Sequence, residues 1–116
     1  MRTSSVQKMT YVFDIDGTLC TNTNGDYSAA EPLHDRIKIV NALAKKNKIV
    51  LYTARGMGRH ENDAQKAIDE FYDLTKRQLE DWGVEYDQLF LGKPSGDCYI
   101  DDKGIKDQDF FADDLR

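Results

Sequence analysis

Thr10-Tyr11-Val12-Phe13-Asp14-Ile15-Asp16-Gly17-Thr18 is the stretch that decides how this chain folds. A β-branched and aromatic run stops abruptly at two carboxylates and a glycine, the pattern of a buried strand that enters a tight loop. Outward from it, residues 20–30 are rich in Asn, Thr and Gly and read as a surface excursion, and Pro32 suits the first turn of a helix. Leu33, Ile37, Val40, Leu43 and Ala44 then share one stripe at helical spacing, which predicts a helix over 32–46. Residues 49–52 form a second short apolar strand that ends at Thr53. Beyond Gly56 and Gly58, Ala64, Ile68, Phe71, Thr75, Leu79 and Trp82 keep helical spacing until Gly83 terminates the helix. Residues 89–91 predict a third strand, and 98–100 a fourth that stops at Asp101-Asp102.

Strands that alternate with helices mean a parallel sheet with right-handed crossovers, and in such sheets ligands gather beyond the carboxyl ends of the strands. The expectation is an α/β fold: one doubly wound, Rossmann-like sheet flanked by helices. A chain of 116 residues is the size of a single domain over 1–116, with 1–8 as a flexible tail. The insertions at 20–31 and 57–91 are too short to fold as a cap over the site.

Composition narrows the function. With 40% apolar and 32% charged residues the chain reads as a soluble globular protein, and no apolar run approaches the roughly 20 residues a membrane span needs. The polar N-terminus lacks the apolar stretch of a secretory signal, so a cytoplasmic location is expected. A net charge of −5 argues against a nucleic-acid partner, which calls for a basic face. Cys20 and Cys98 lie far apart without metal-type spacing and read as reduced, buried thiols.

The polar residues that end the strands carry the chemistry. Asp14 and Asp16 follow the first strand, Thr53 the second, Lys93 the third, and Asp101 with Asp102 the fourth. A hydroxyl and a cation can hold a phosphate, and a carboxylate cluster can hold a hard dication. Each also has a plainer reading. Asp-Gly-Thr is commonly a turn, and Asp101 and Asp102 could cap the turn at Lys103-Gly104. Arg55 could bind substrate or form a structural salt bridge, Arg59 could bind substrate or a neighbouring subunit, and His34 and His60 read as surface or helix-end residues. Residues 107–116 read as a short terminal helix or a frayed end.

In this order, Asp14-Ile15-Asp16-Gly17-Thr18-Leu19, Thr53, Lys93 within Gly92-Lys93-Pro94, and Asp101-Asp102 after Tyr99-Ile100 resemble the four motifs of haloacid dehalogenase superfamily phosphatases. The strings around Thr53, Lys93 and Asp101 look more narrowly like a capless subgroup, the capsular polysaccharide biosynthesis phosphatases. The resemblance implies a phosphoric monoester hydrolase in which Asp14 attacks phosphorus and Asp16 protonates the leaving oxygen, then activates water. It implies that Thr53, the backbone N–H groups of Ile15, Asp16 and Ala54, and Lys93 hold the phosphate; apart from the resemblance, Arg55 is the favoured further substrate contact of the two arginines past the second strand. It also implies a Mg2+ ion held by a side-chain oxygen of Asp14, the backbone carbonyl of Asp16 and a carboxylate of Asp101, with Asp102 in or next to that set. The implied substrate is a small phosphorylated sugar or related biosynthetic intermediate. An open site of this kind either takes a bulky substrate or borrows walls from another copy in a homo-oligomer.

Other functions use similar parts. A phosphorylation-dependent receiver domain also combines carboxylates, Thr and Lys, but carries its acceptor Asp after the third strand. A nucleotidase or another phosphotransferase is a variant within the enzyme class, and a catalytically silent binding module is the third alternative.

Overall fold

The computed structural model describes residues 8–112. Most of the expected N-terminal tail and the end of the expected C-terminal helix lie outside that range. Strand β1 runs Thr10–Phe13, helix α1 His34–Ala44, β2 Lys48–Thr53, α2 Ala64–Asp81, β3 Gln88–Leu91 and α3 Asp107–Phe111, with a single 3-10 turn at Tyr27–Ala29. The three strands form one parallel sheet in the order β1-β2-β3, with Phe13 opposite Leu51 and Thr53 opposite Leu91. It is a small α/β sheet flanked by helices, consistent with a Rossmann-like fold.

The helix boundaries follow local chemistry. Asp63 caps α2, its side chain accepting the Lys66 N–H at 3.2 Å. At the other end Gly83, at φ +73°, turns the chain while Val84 N–H closes back on the Leu79 carbonyl at 3.0 Å. Helix α1 begins two residues after Pro32, which forms an isolated bridge with Cys20 and so lies before the first turn.

Strand alternation builds the core. Phe13, Ile49 and Leu51 share one face of the sheet and pack with Ile37 and Val40 of α1, Leu79 of α2 and Phe111 of α3. Strands that advance in one direction with right-handed crossovers send both connecting helices to the same side. The opposite face is therefore sparsely covered: Val12 is 61% exposed and Phe90 48%. Among the described residues, the helix layer that a doubly wound sheet would carry on that face is not formed.

The expected fourth strand is also missing. Residues 98–100 have no ladder partner, and Ile100 is 94% exposed. Cys98, expected buried, is exposed; Cys20 is buried, and both are free thiols. No helix among the described residues is long and apolar enough to cross a membrane.

Candidate active site

The loop after β1 is built around one carbonyl. The Ile15 carbonyl accepts N–H groups from Thr18 at 3.0 Å and Leu19 at 2.8 Å, while Gly17, at φ +83°, donates to the Cys20 carbonyl at 2.9 Å. A side chain at 17 would strain that left-handed backbone and approach Asn22 at 3.1 Å, so glycine is required. With Ile15 and Leu19 fully buried, the loop is anchored in the core and holds Asp14 and Asp16 at the carboxyl edge of the sheet.

The two carboxylates have separate cations. Lys93, two residues beyond β3, brings its Nζ to 3.7 Å from Asp14 Oδ1, and the Thr18 hydroxyl donates to Asp14 Oδ2 at 3.3 Å. Burial pushes the Asp14 carboxyl above its ordinary value, against the opposing pull of Lys93, the Ile15 N–H and the Thr18 hydroxyl; the charge of Asp16 adds to the upward push. Asp16 is gripped bidentately by Arg55, at 2.9 Å from Nε and 3.0 Å from Nη2.

Arg55 is 1% exposed. Its Nη1 donates to Thr75 at 3.2 Å and Gln78 at 2.7 Å on α2, and its Nη2 also reaches Cys20 Sγ at 3.8 Å. Each guanidinium N–H thus has an internal acceptor, and none is left for a substrate. Of the two readings for Arg55, the structural salt bridge is the one the geometry has. Beside this network the Cys20 thiol, desolvated and facing Asp16, has its pKa pushed up to about 12 and stays protonated at neutral pH.

Thr53 ends β2 between the Asp14 and Lys93 positions. Its carbonyl accepts the Lys93 N–H at 3.2 Å, which ties β2 to the segment after β3, and its hydroxyl oxygen accepts the Arg55 N–H at 3.1 Å, which closes the turn that follows β2; its side chain is buried. The Ile15 N–H lies close enough to the Asp14 carboxyl to lower its pKa. Ala54 follows directly and is partly exposed.

Asp101 and Asp102 stand apart. Asp101 accepts the N–H groups of Lys103 at 2.8 Å and Gly104 at 2.6 Å, which pulls its carboxyl below the usual range. This is the turn-capping arrangement, and both aspartates are exposed. Among the described residues no three His, Cys, Asp or Glu side chains converge on a point where a metal could bind. Asp14 could offer a side-chain oxygen and Asp16 its backbone carbonyl to magnesium, but Asp101 is turned to its own loop. Within one chain, the implied ligand set does not fit the ion.

Several residues at the site carry no sequence motif. Tyr27 accepts the Gly56 N–H on its hydroxyl at 2.9 Å, gives its carbonyl to Gln78 at 2.7 Å, and lies under Arg55 at 5.0 Å and against Phe71 at 4.8 Å. Thr75 keeps its place on the buried stripe of α2, but as an acceptor for Arg55. Tyr99 supports Lys93, whose Nζ sits 4.3 Å from the ring centre. Arg59 and His60 both bind Glu70, at 2.6 Å each, away from the carboxylates.

No family model and no curated protein matches the chain. The chain is similar in structure to the crystal structure of an MCSG target from Vibrio cholerae, 28% identical, with a TM-score of 0.83 over 94% of this chain and 91% of that one.

Proposed function

We propose that this chain is a capless phosphohydrolase of the haloacid dehalogenase type, with Asp14 as its nucleophile towards phosphate monoesters. The observation that supports this most is the pairing of Asp14 with Lys93 at 3.7 Å, where two strand ends deliver a carboxylate and an ammonium to one edge of a parallel sheet. Phosphoryl transfer asks chiefly for alignment and charge neutralisation, and this pair supplies both. An Asp14 oxygen attacks phosphorus, the ester P–O bond breaks, and the leaving oxygen takes a proton. Water then attacks the same phosphorus, the aspartyl P–O bond breaks, and inorganic phosphate leaves with the carboxylate restored. Lys93 balances charge on Asp14 and on the phosphate throughout.

Asp16 is the proton donor the resemblance implies, and it serves only by releasing a hydrogen bond from Arg55. The substrate class is a small phosphorylated metabolite in the cytoplasm, such as a sugar phosphate of polysaccharide biosynthesis. Magnesium enters this proposal only if Asp101 or Asp102 reaches Asp14, which one chain alone does not achieve.

The test is phosphate release from a generic aryl phosphate. Asp14→Asn keeps the shape of the side chain, and turnover should fall by at least about a thousandfold; a parental rate would remove Asp14 from the role. Loss of activity in EDTA with recovery on adding magnesium would support the ion, and EDTA-resistant turnover would exclude it.

The double clamp on Asp16 favours one alternative. If Asp16 never leaves Arg55, the phosphorylated Asp14 persists and the chain behaves as a receiver-like switch. Incubation with acetyl phosphate followed by mass spectrometry separates the two: a lasting phosphoryl adduct marks a switch, and multiple turnover marks the enzyme.

A further inference from the structure

Residues 94–106 form an arm that leaves the body between two anchors. At one end Ser95 N–H bonds Asn62 Oδ1 at 2.9 Å; at the other, α3 is tied to α1 by Arg36 and Asp107 at 2.7 Å. Between them the chain carries a short strand-like run, Cys98-Tyr99-Ile100, with Ile100 94% and Ile105 66% exposed. Two large aliphatic side chains left in water on one short arm point to a partner surface that would cover them.

A complementary surface lies on the sheet. β1 is an edge strand: β2 pairs with one side, and among the described residues no strand pairs with the other. Its Val12 is exposed as well. The arm of the same chain cannot readily fill this edge in the parallel sense. Only Gly92 to Asp97, six residues, separate β3 from Cys98. A parallel crossover needs roughly a dozen or more, and this one would have to pass two strands.

We propose that the arm pairs with the β1 edge of a second copy, reciprocally, as a fourth parallel strand. In the register that sets Asp101 beside Asp14, Ile100 falls beside Phe13 on the core side, and Tyr99, released from Lys93 and from the Pro94 carbonyl, falls beside Val12 on the bare face. The exchange covers the β1 edge of both copies and delivers Asp101, with Asp102 next to it, to the other copy's Asp14. Each site then holds carboxylates from two chains. The catalytic half of this inference rests on Asp14 as nucleophile; the assembly half does not.

Mass and cross-linking test the assembly without any activity. The native chain should run in light scattering at twice 13.3 kDa, and Ile100→Asp should return it to a monomer that keeps the native circular-dichroism spectrum and melts at a lower temperature than the dimer. A monomeric native chain at tens of micromolar overturns the proposal. In a Cys98→Ser background, Val12→Cys with Tyr99→Cys should oxidise to a covalent dimer; a closed monomer or no cross-link overturns it. Shared sites are read by mixing Asp14→Asn with Asp101→Asn. Random reassortment leaves about a quarter of all sites with both native carboxylates, so turnover should rise to about that share of the native rate. A mixture no more active than Asp101→Asn alone overturns the shared site. A cross-linked dimer whose native form hydrolyses no phosphate ester would leave the exchange standing and sink the phosphatase reading.

Discussion

The loop after β1 and the arm after β3 both hold an aspartate pair, and they are built in opposite ways. Asp14 and Asp16 stand on a loop whose apolar residues are fully buried and whose charges meet a cation each. Asp101 and Asp102 stand on an exposed turn whose hydrogen bonds span three residues. A carboxylate fixed by the core has one geometry; a carboxylate fixed by its own turn goes wherever the turn is carried. The contrast therefore separates a pair held in place by the core from a pair that would join it only if positioned from outside.

The sharpest way to break the comparison is through Arg55. Arg55→Met leaves Asp16 without its buried partner and Thr75 and Gln78 without a donor, and should cost about 3–5 kcal/mol in chemical denaturation. A loss under about 1 kcal/mol would mean that the network does not hold the loop. Asp101→Ala, in contrast, should leave the denaturation midpoint where it is. A clear drop would show the arm to be better fixed than its exposure indicates.

Ionisation of Asp14 gives a second handle. Its carboxyl holds a proton more tightly folded than unfolded, so its burial costs nothing at low pH, and the cost develops as pH rises through the folded value. Asp14→Asn should accordingly raise the melting temperature at neutral pH, and the gain should vanish in acid. Lys93→Ala removes the strongest influence holding that carboxyl down. The acid limb of kcat/KM should move to higher pH and the rate should fall about a hundredfold; an unmoved limb would dissociate Lys93 from Asp14.

The smallest effect is the cleanest to read. Cys98 should react with a thiol reagent in the folded protein at an ordinary rate, whereas Cys20, buried with its pKa near 12, should react only on unfolding. Equal rates would place the two regions on the same footing.

Three strands and the two long helices were legible from the sequence because apolar spacing and glycine stops depend on near neighbours. The fourth strand was not. Cys98-Tyr99-Ile100 has the composition of a strand, but composition does not supply an edge to pair with, and a six-residue connection denies it the sheet's own. Asp14 and Lys93 were recognised and do meet. Arg55 was left open between two roles because its acceptors, Thr75 and Gln78, lie a helix away, and Thr75 was counted among apolar positions. Tyr27 carried no signal at all, being one more polar-tipped residue in a loop.

Yet Tyr27 pins the segment it stands on. Its hydroxyl is tied to the turn after β2, and its carbonyl and ring to Gln78 and Phe71 on one face of α2, so the excursion over 21–30 is pegged down rather than hinged. Under the proposed function that segment stays in place through the reaction, and turnover should be insensitive to solvent viscosity.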